Sequence, residues 1–232
     1  MSSNRDAFQD AVSSNSLAET ACGTSESADS PRFPAILLFG MPGAGKGTQG
    51  RLLGTMTGLF HISTGEIFRS LDRSTEDGRT VRDLIDHGNL VPDDLAVRLW
   101  RGWCENAVRD GYLSPADDVV ILDGIPRSVR QCKMLDAEVD VLAVVHLATQ
   151  NDEPIVERLL LRGSTDGRDD DRSEAIIRRR FDIYRQTTAP VLDYYPAEIR
   201  HEINPLGTPI EVKKRILERI IPVLRGRATV EY

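Results

Sequence analysis

GMPGAGKGTQ, residues Gly40–Gln49, is the stretch on which the reading of this chain turns. It stands between the apolar run AILLF (Ala35–Phe39) and a segment of helical spacing from Lys46 to about Met56. An apolar run that stops at a glycine-rich turn reads as the end of a buried parallel strand. Glycines let the backbone turn so that successive N–H groups point at one anion, and a helix starting there adds its positive end. Gly40, Gly45 and Lys46 have the spacing of a phosphate-binding loop. Lys46 supplies a mobile cation to the β- and γ-phosphates, and the Thr48 hydroxyl a ligand for Mg²⁺. Gly47 follows the lysine, so the hydroxyl comes one position later than in the general pattern. The expected phosphate contacts are Gly43, Ala44, Gly45, Lys46, Gly47 and Thr48. The loop alone does not separate a kinase from an ATPase or GTPase.

Outward from the loop, VVILD (Val119–Asp123) and VLAVVHL (Val141–Leu147) are further apolar runs bounded by turn residues, and EIRHEI (Glu198–Ile203) is a weaker one. Segments of helical spacing lie between them: Leu95–Val108, Val129–Leu135, Ile155–Leu161, Glu174–Tyr184 and Ile210–Leu224. Strands alternating with helices predict an α/β fold, a three-layer sandwich on a parallel central sheet. Asp123 ends its strand where a carboxylate can hold Mg²⁺ through the ion's water shell.

The remaining composition narrows the function. The chain has 232 residues and a net charge of −7, which argues against nucleic acid or an anionic membrane as the main partner. No run reaches the ~18 apolar residues of a membrane span. Cys22, Cys104 and Cys132 are odd in number and far apart, with no CxxC pair, so neither a disulfide framework nor a structural zinc site is expected. A reducing cytoplasm is the default compartment. Residues 1–32 are serine-rich, aperiodic and too acidic for a mitochondrial presequence, and read as a disordered leader to a domain spanning 33–232.

GKGT in the loop resembles the adenylate kinase family, and the resemblance continues in order along the chain. HISTGEIFR (His61–Arg69), HGNLVPDD (His87–Asp94), ILDGIPRSVRQ (Ile121–Gln131), RLLLRGSTDGRDDD (Arg158–Asp171), YRQTTAPVLDYY (Tyr184–Tyr195) and INPLG (Ile203–Gly207) carry it over roughly residues 35–224. The resemblance implies transfer of a phosphoryl group from MgATP to AMP, with a helical monophosphate-binding insertion at about 63–92. It also implies a lid of the short type at about 162–171, without zinc.

By the same resemblance Arg69 and Arg127 hold the acceptor phosphate, while Arg162, Arg168 and one arginine of the Arg178–Arg180 run close over the transferring group. Arginine suits this because it is always charged and grips phosphate with two donors. Counting forward from Arg168 selects Arg179. Counting back from Tyr184 selects Arg180, because one extra residue falls near Asp171–Glu174, and Arg180 is preferred because Phe181 then takes the family's apolar position. Thr64, Asn89, Leu90, Val91, the turn Gly124, Ile125, Pro126, Arg127, and Gln131 match the acceptor-nucleoside pocket, and Gly207 the ATP side. Ile125 departs from the family, which has an aromatic residue there. A monomer acting on the small molecules ATP and AMP is expected. Three alternatives stay open: a UMP/CMP kinase of the same fold, a GTPase switch (no NKxD segment is present), and an inactive nucleotide-binding scaffold.

Overall fold

The computed structural model describes residues 32–149, 153–165, 169–171 and 173–227. The predicted leader, apart from Arg32, therefore lies outside the described residues, as do Cys22 and Arg168.

Strand β1 (Phe33–Gly40) is flanked by β3 (Val119–Asp123) and β4 (Val139–Leu147), with β2 (Leu59–Ser63) and β5 (Arg200–Ile203) outermost, in the order β2-β3-β1-β4-β5. All four pairings are parallel. β1 is therefore where the chain changes its direction of winding, the position at which open parallel sheets bind ligands beyond their carboxyl ends. Register levels those ends: Leu38 of β1 pairs with Asp123, which pairs with Ser63 of β2.

β1 is covered on both faces, which explains its unbroken apolar run. Ala35, Leu37 and Phe39 pack with Trp100, Trp103 and Cys104 of α4 (Asp93–Arg109) and with Cys132 and Leu135 of α5 (Val129–Leu135). Ile36 and Leu38 pack on the other face with Leu53 of α1 (Lys46–Leu53) and with Val212, Ile216 and Ile220 of α8 (Pro209–Arg227). These are the three layers predicted from the sequence. Burying side chains of this size contributes roughly 1.5–3 kcal/mol each.

Between β2 and α4 stand two helices, α2 (Thr64–Ser70) and α3 (Glu76–Asp86). After β4 come α6 (Glu153–Thr165), a 3₁₀ turn at Asp169–Asp171, α7 (Glu174–Ile183) and a π-helical turn at Tyr184–Thr188.

Several boundaries differ from expectation. β2 is a strand that the sequence pattern does not predict: its LFHIS core carries His61, whose buried ring packs against Gly50 and Gly54 of the neighbouring helix end. β5 is shorter than Glu198–Ile203, because Ala197–Ile199 form a 3₁₀ turn. Gly163, within the segment expected to form the lid, is buried in α6, which runs on to Thr165.

Candidate active site

The loop between β1 and α1 forms the floor of a cleft of about 390 Å³, a size that suits a small-molecule site. Gly43 sits at φ +83, and a Cβ there would stand 2.6 Å from Ile155 Cγ2 and 2.8 Å from Leu159 Cγ, so only glycine lets α6 pack onto the loop. No side chain caps α1, whose N-cap is Gly45. Its first N–H groups are left for an anion.

Lys46 Nζ donates to the loop carbonyls of Gly40 (2.7 Å) and Met41 (3.0 Å). Burial of the ammonium pushes its pKa down from 10.5 to about 8. Asp123 opposes that shift, and Arg127, Arg180 and Arg162 add to it. A polyphosphate beside Nζ favours the charged form. ATP binding at pH 9 should therefore be coupled to proton uptake, and binding near pH 7 should not. Calorimetric titration with ATP in two buffers of different ionisation enthalpy measures this. Identical heats at pH 9 would contradict it, and Lys46→Met should remove the uptake. The sign for folding is opposite. The unfolded lysine keeps its proton above pH 8, so this group makes the empty protein more stable as pH rises from about 8 towards 10.5.

Arginines form the rest of the wall. Arg127 Nε donates to the Gly124 carbonyl at 2.9 Å, and burial, then Arg180, lower its pKa. Arg69, whose pKa is lowered by burial and supported by Asp170, lies 3.5 Å from that carboxylate. Arg162 donates to Asp171 Oδ2 through Nε (2.6 Å), while Arg180 Nη1 meets Asp171 Oδ1 (2.5 Å) and Asp170 Oδ2 (3.0 Å). The 3₁₀ turn thus sets two carboxylates among three arginines. With the Asp171 carboxylate fully buried, it aligns Arg162 and Arg180 side by side.

Most predicted site residues meet at this cleft. Gly43, Gly45, Lys46, Gly47 and Thr48 line its floor. Arg69, Asn89, Leu90, Val91, Gly124, Pro126, Arg127 and Gln131 line one end, where Phe68, Ile85 and Ala96 add apolar surface, and Asp123, Arg162 and Arg180 complete the wall. Four predicted residues are not on it. Ala44 and Ile125 are buried in the core clusters on opposite faces of the sheet. Gly207 lies away from the cleft wall. Thr64 is buried behind the wall, where its hydroxyl donates to the Asp123 carbonyl at 3.2 Å.

Of the arginine run, only Arg180 lines the cleft. Arg178 is exposed and pairs with Glu174 and Glu153, and Arg179 donates to Asn89 Oδ1 at 2.7 Å.

Sequence reading missed several cleft residues. Arg158 lines the cleft one helical turn before Arg162, a spacing that puts both on one face and could have flagged it. Asp170, Tyr184 and Thr188 also line it. Thr188 donates to the Arg127 carbonyl at 3.2 Å from the π-turn, and no periodicity announces that contact.

A glycine loop at the switch point of a parallel sheet, facing a ring of arginines, defines a P-loop phosphotransferase that handles two phosphorylated ligands. The family model described as adenylate kinase matches residues 38–200. Among the most similar relatives is an adenylate kinase of Flavobacterium psychrophilum, 39% identical over 193 residues, covering 80% of this chain and 97% of that protein. One of Thermus thermophilus is 40% identical over 189 residues, covering 78% and 94%, and one of Mycolicibacterium vanbaalenii is 40% identical over 193 residues, covering 80% and 98%. The chain belongs to the adenylate kinase family.

Proposed function

We propose that the protein transfers the terminal phosphoryl group of MgATP to AMP, reversibly, giving two ADP. The observation that carries this reading is the convergence of Lys46, Arg69, Arg127, Arg162 and Arg180 on one cleft that has a phosphate loop at one end and an apolar lining beside Gln131 at the other.

In this reading the loop N–H groups and Lys46 hold the β- and γ-phosphates of ATP, and Arg69 and Arg127 hold the AMP phosphate in line with them. An AMP phosphate oxygen attacks the γ-phosphorus, the bond from that phosphorus to the β,γ-bridging oxygen breaks, and ADP leaves with the electron pair. The acceptor is already an oxyanion, so no general base is required. Arg162 and Arg180 offset charge spreading over the equatorial oxygens, and Arg168 is assigned the same part from the motif. Phosphate oxygens compete with Asp170 and Asp171 for these guanidinium groups, so closure exchanges internal ion pairs for substrate.

The residues present fit a magnesium ion. Among the described residues no hydrogen-bond donor reaches the carboxylate of Asp123, which is only 8% exposed and lies 4.0 Å from His61 Nε2. Asp123 and the Thr48 hydroxyl are hard oxygen donors, and the ion would supply neutralising charge on the β- and γ-phosphates. Among the described residues no three His, Cys, Asp or Glu side chains gather as a metal site, and no helix is long and apolar enough to cross a membrane.

Residues 63–92 are assigned as the monophosphate-binding insertion and 162–171 as a short lid that excludes water. We assign the chain to the cytoplasm as a monomer; two free, buried thiols, Cys104 and Cys132, fit a reducing compartment.

The acceptor assignment predicts a specificity constant for AMP roughly tenfold or more above those for CMP and UMP, because a site with fixed polar groups rejects a base that leaves them unpaired or unreached. Initial rates with MgATP and each acceptor measure it. Equal or better use of CMP would replace this reading with that of a pyrimidine monophosphate kinase.

A further inference from the structure

Asp93 opens α4 beside the cleft without lining it. Its Oδ1 accepts from Gln131 Nε2 at 2.8 Å and its Oδ2 from the Ser128 hydroxyl at 2.9 Å. The Ser128 oxygen in turn caps α5, accepting the Gln131 backbone N–H at 3.1 Å. On the other side of the amide, Gln131 Oε1 accepts the Arg127 backbone N–H at 2.6 Å. Gln131 is 3% exposed, so water cannot substitute freely for either partner.

We propose that Asp93 is the positioning residue that fixes which way round the Gln131 amide faces, making the acceptor site select a 6-amino over a 6-oxo purine monophosphate. The proposal rests on the acceptor reading above.

A carboxylate only accepts and a backbone N–H only donates, so chemistry alone assigns the nitrogen to Asp93 and the oxygen to Arg127. Turning the amide over would set oxygen against carboxylate and NH₂ against N–H, two repulsive contacts in a buried place. An amide has two N–H groups and two oxygen lone pairs, so one of each remains for a base. A 6-aminopurine offers an acceptor (N1) next to a donor (the 6-amino group), which that pair satisfies. A 6-oxopurine offers a donor at N1 and an acceptor at O6, and would need the amide reversed. Cytosine shows the adenine order, so Asp93 does not tell CMP from AMP; the apolar end must do that by shape.

The test measures formation of ADP and IDP from ATP with AMP or IMP as acceptor, using the full chain and its Asp93→Ala and Asp93→Asn variants. Asp93→Ala should narrow the ratio of specificity constants, AMP over IMP, by roughly tenfold or more, chiefly through a higher KM for AMP. KM for ATP and kcat with AMP should change by less than about threefold, because the transferring group is untouched. Asp93→Asn keeps the shape but can donate to a reversed amide, and should narrow the ratio by about threefold or more. If Asp93→Ala does not fold, Asp93→Asn decides alone. An unchanged ratio, or AMP and IMP falling together, overturns the proposal while leaving the function standing. A wild-type protein that ignores AMP overturns the acceptor reading first, and this proposal with it.

Discussion

Arg180→Ala is expected to lower kcat by about 10²-fold or more, a loss of about 3 kcal/mol of transition-state stabilisation. Adjacent helical residues point about 100° apart, so three consecutive arginines cannot face one phosphate cluster. In α7 it is Arg180 that turns inward to Asp170 and Asp171, with its side chain 17% exposed. Arg178, 48% exposed and paired with two surface glutamates, should tolerate alanine with less than about a threefold change in kcat. Arg179 donates to Asn89, which lines the cleft, so Arg179→Ala should act on KM for the acceptor more than on kcat. Steady-state kinetics on the three variants, with Lys46→Ala and Arg127→Ala as inactive controls, decides the matter. A crippled Arg179→Ala beside a nearly normal Arg180→Ala would shift the register by one residue. Three normal variants would remove the idea of an arginine closing from this helix.

Gly124→Ala should be strongly damaging at the acceptor end. Gly124 follows β3 at φ +92, and a Cβ there would stand 2.4 Å from Thr64 Oγ1, whose hydroxyl bonds the carbonyl of Asp123 just before it. Thr64 is buried, 1% exposed. Strain at positive φ costs about 1–2 kcal/mol, and forcing a methyl into a packed contact adds about 1–3 kcal/mol. Gly111→Ala separates the two effects, because Gly111 has φ +76 and nothing within 4 Å of its would-be Cβ. For a chain of this size each kcal/mol lowers Tm by about 2–4 °C. Gly111→Ala should thus lower Tm by a few degrees, and Gly124→Ala by clearly more, with a raised KM for AMP. Equal shifts in the two variants would mean that the Thr64 contact is soft and that backbone strain alone is felt.

Much of the architecture is readable in the sequence. Local chemistry is dense in Gly40–Gln49: ten residues contain the strand end, the anion cradle, the cation and the helix start, and all of it depends on backbone torsions inside that stretch. The apolar runs at β1, β3 and β4 were legible for a related reason, since strands covered on both faces need no polar alternation. β2 was not, because a buried histidine interrupts its pattern and becomes acceptable only once Gly50 of α1 and Gly54 just after it make room for the ring. Ala44 and Ile125 show what a motif leaves to packing. Ala44 lies in the loop after β1 and Ile125 in the turn after β3, and both side chains are buried in the core.

What the sequence by itself determined is the class of chemistry: a phosphate loop on a parallel sheet, with enough arginine in the matching segments to hold two phosphorylated ligands. Tertiary structure decided which side chains act together. Asp93 reaches Gln131 and Ser128 only because α4 and α5 pack side by side. Asp171 aligns Arg162 with Arg180 only because a short turn folds between α6 and α7, and Arg180 rather than Arg178 faces inward because Ile177 and Phe181 anchor the buried side of α7. Torsions within a loop are dictated by its own residues. The meeting of charges from distant segments depends on how helices dock, and that is settled by the packing of the whole core.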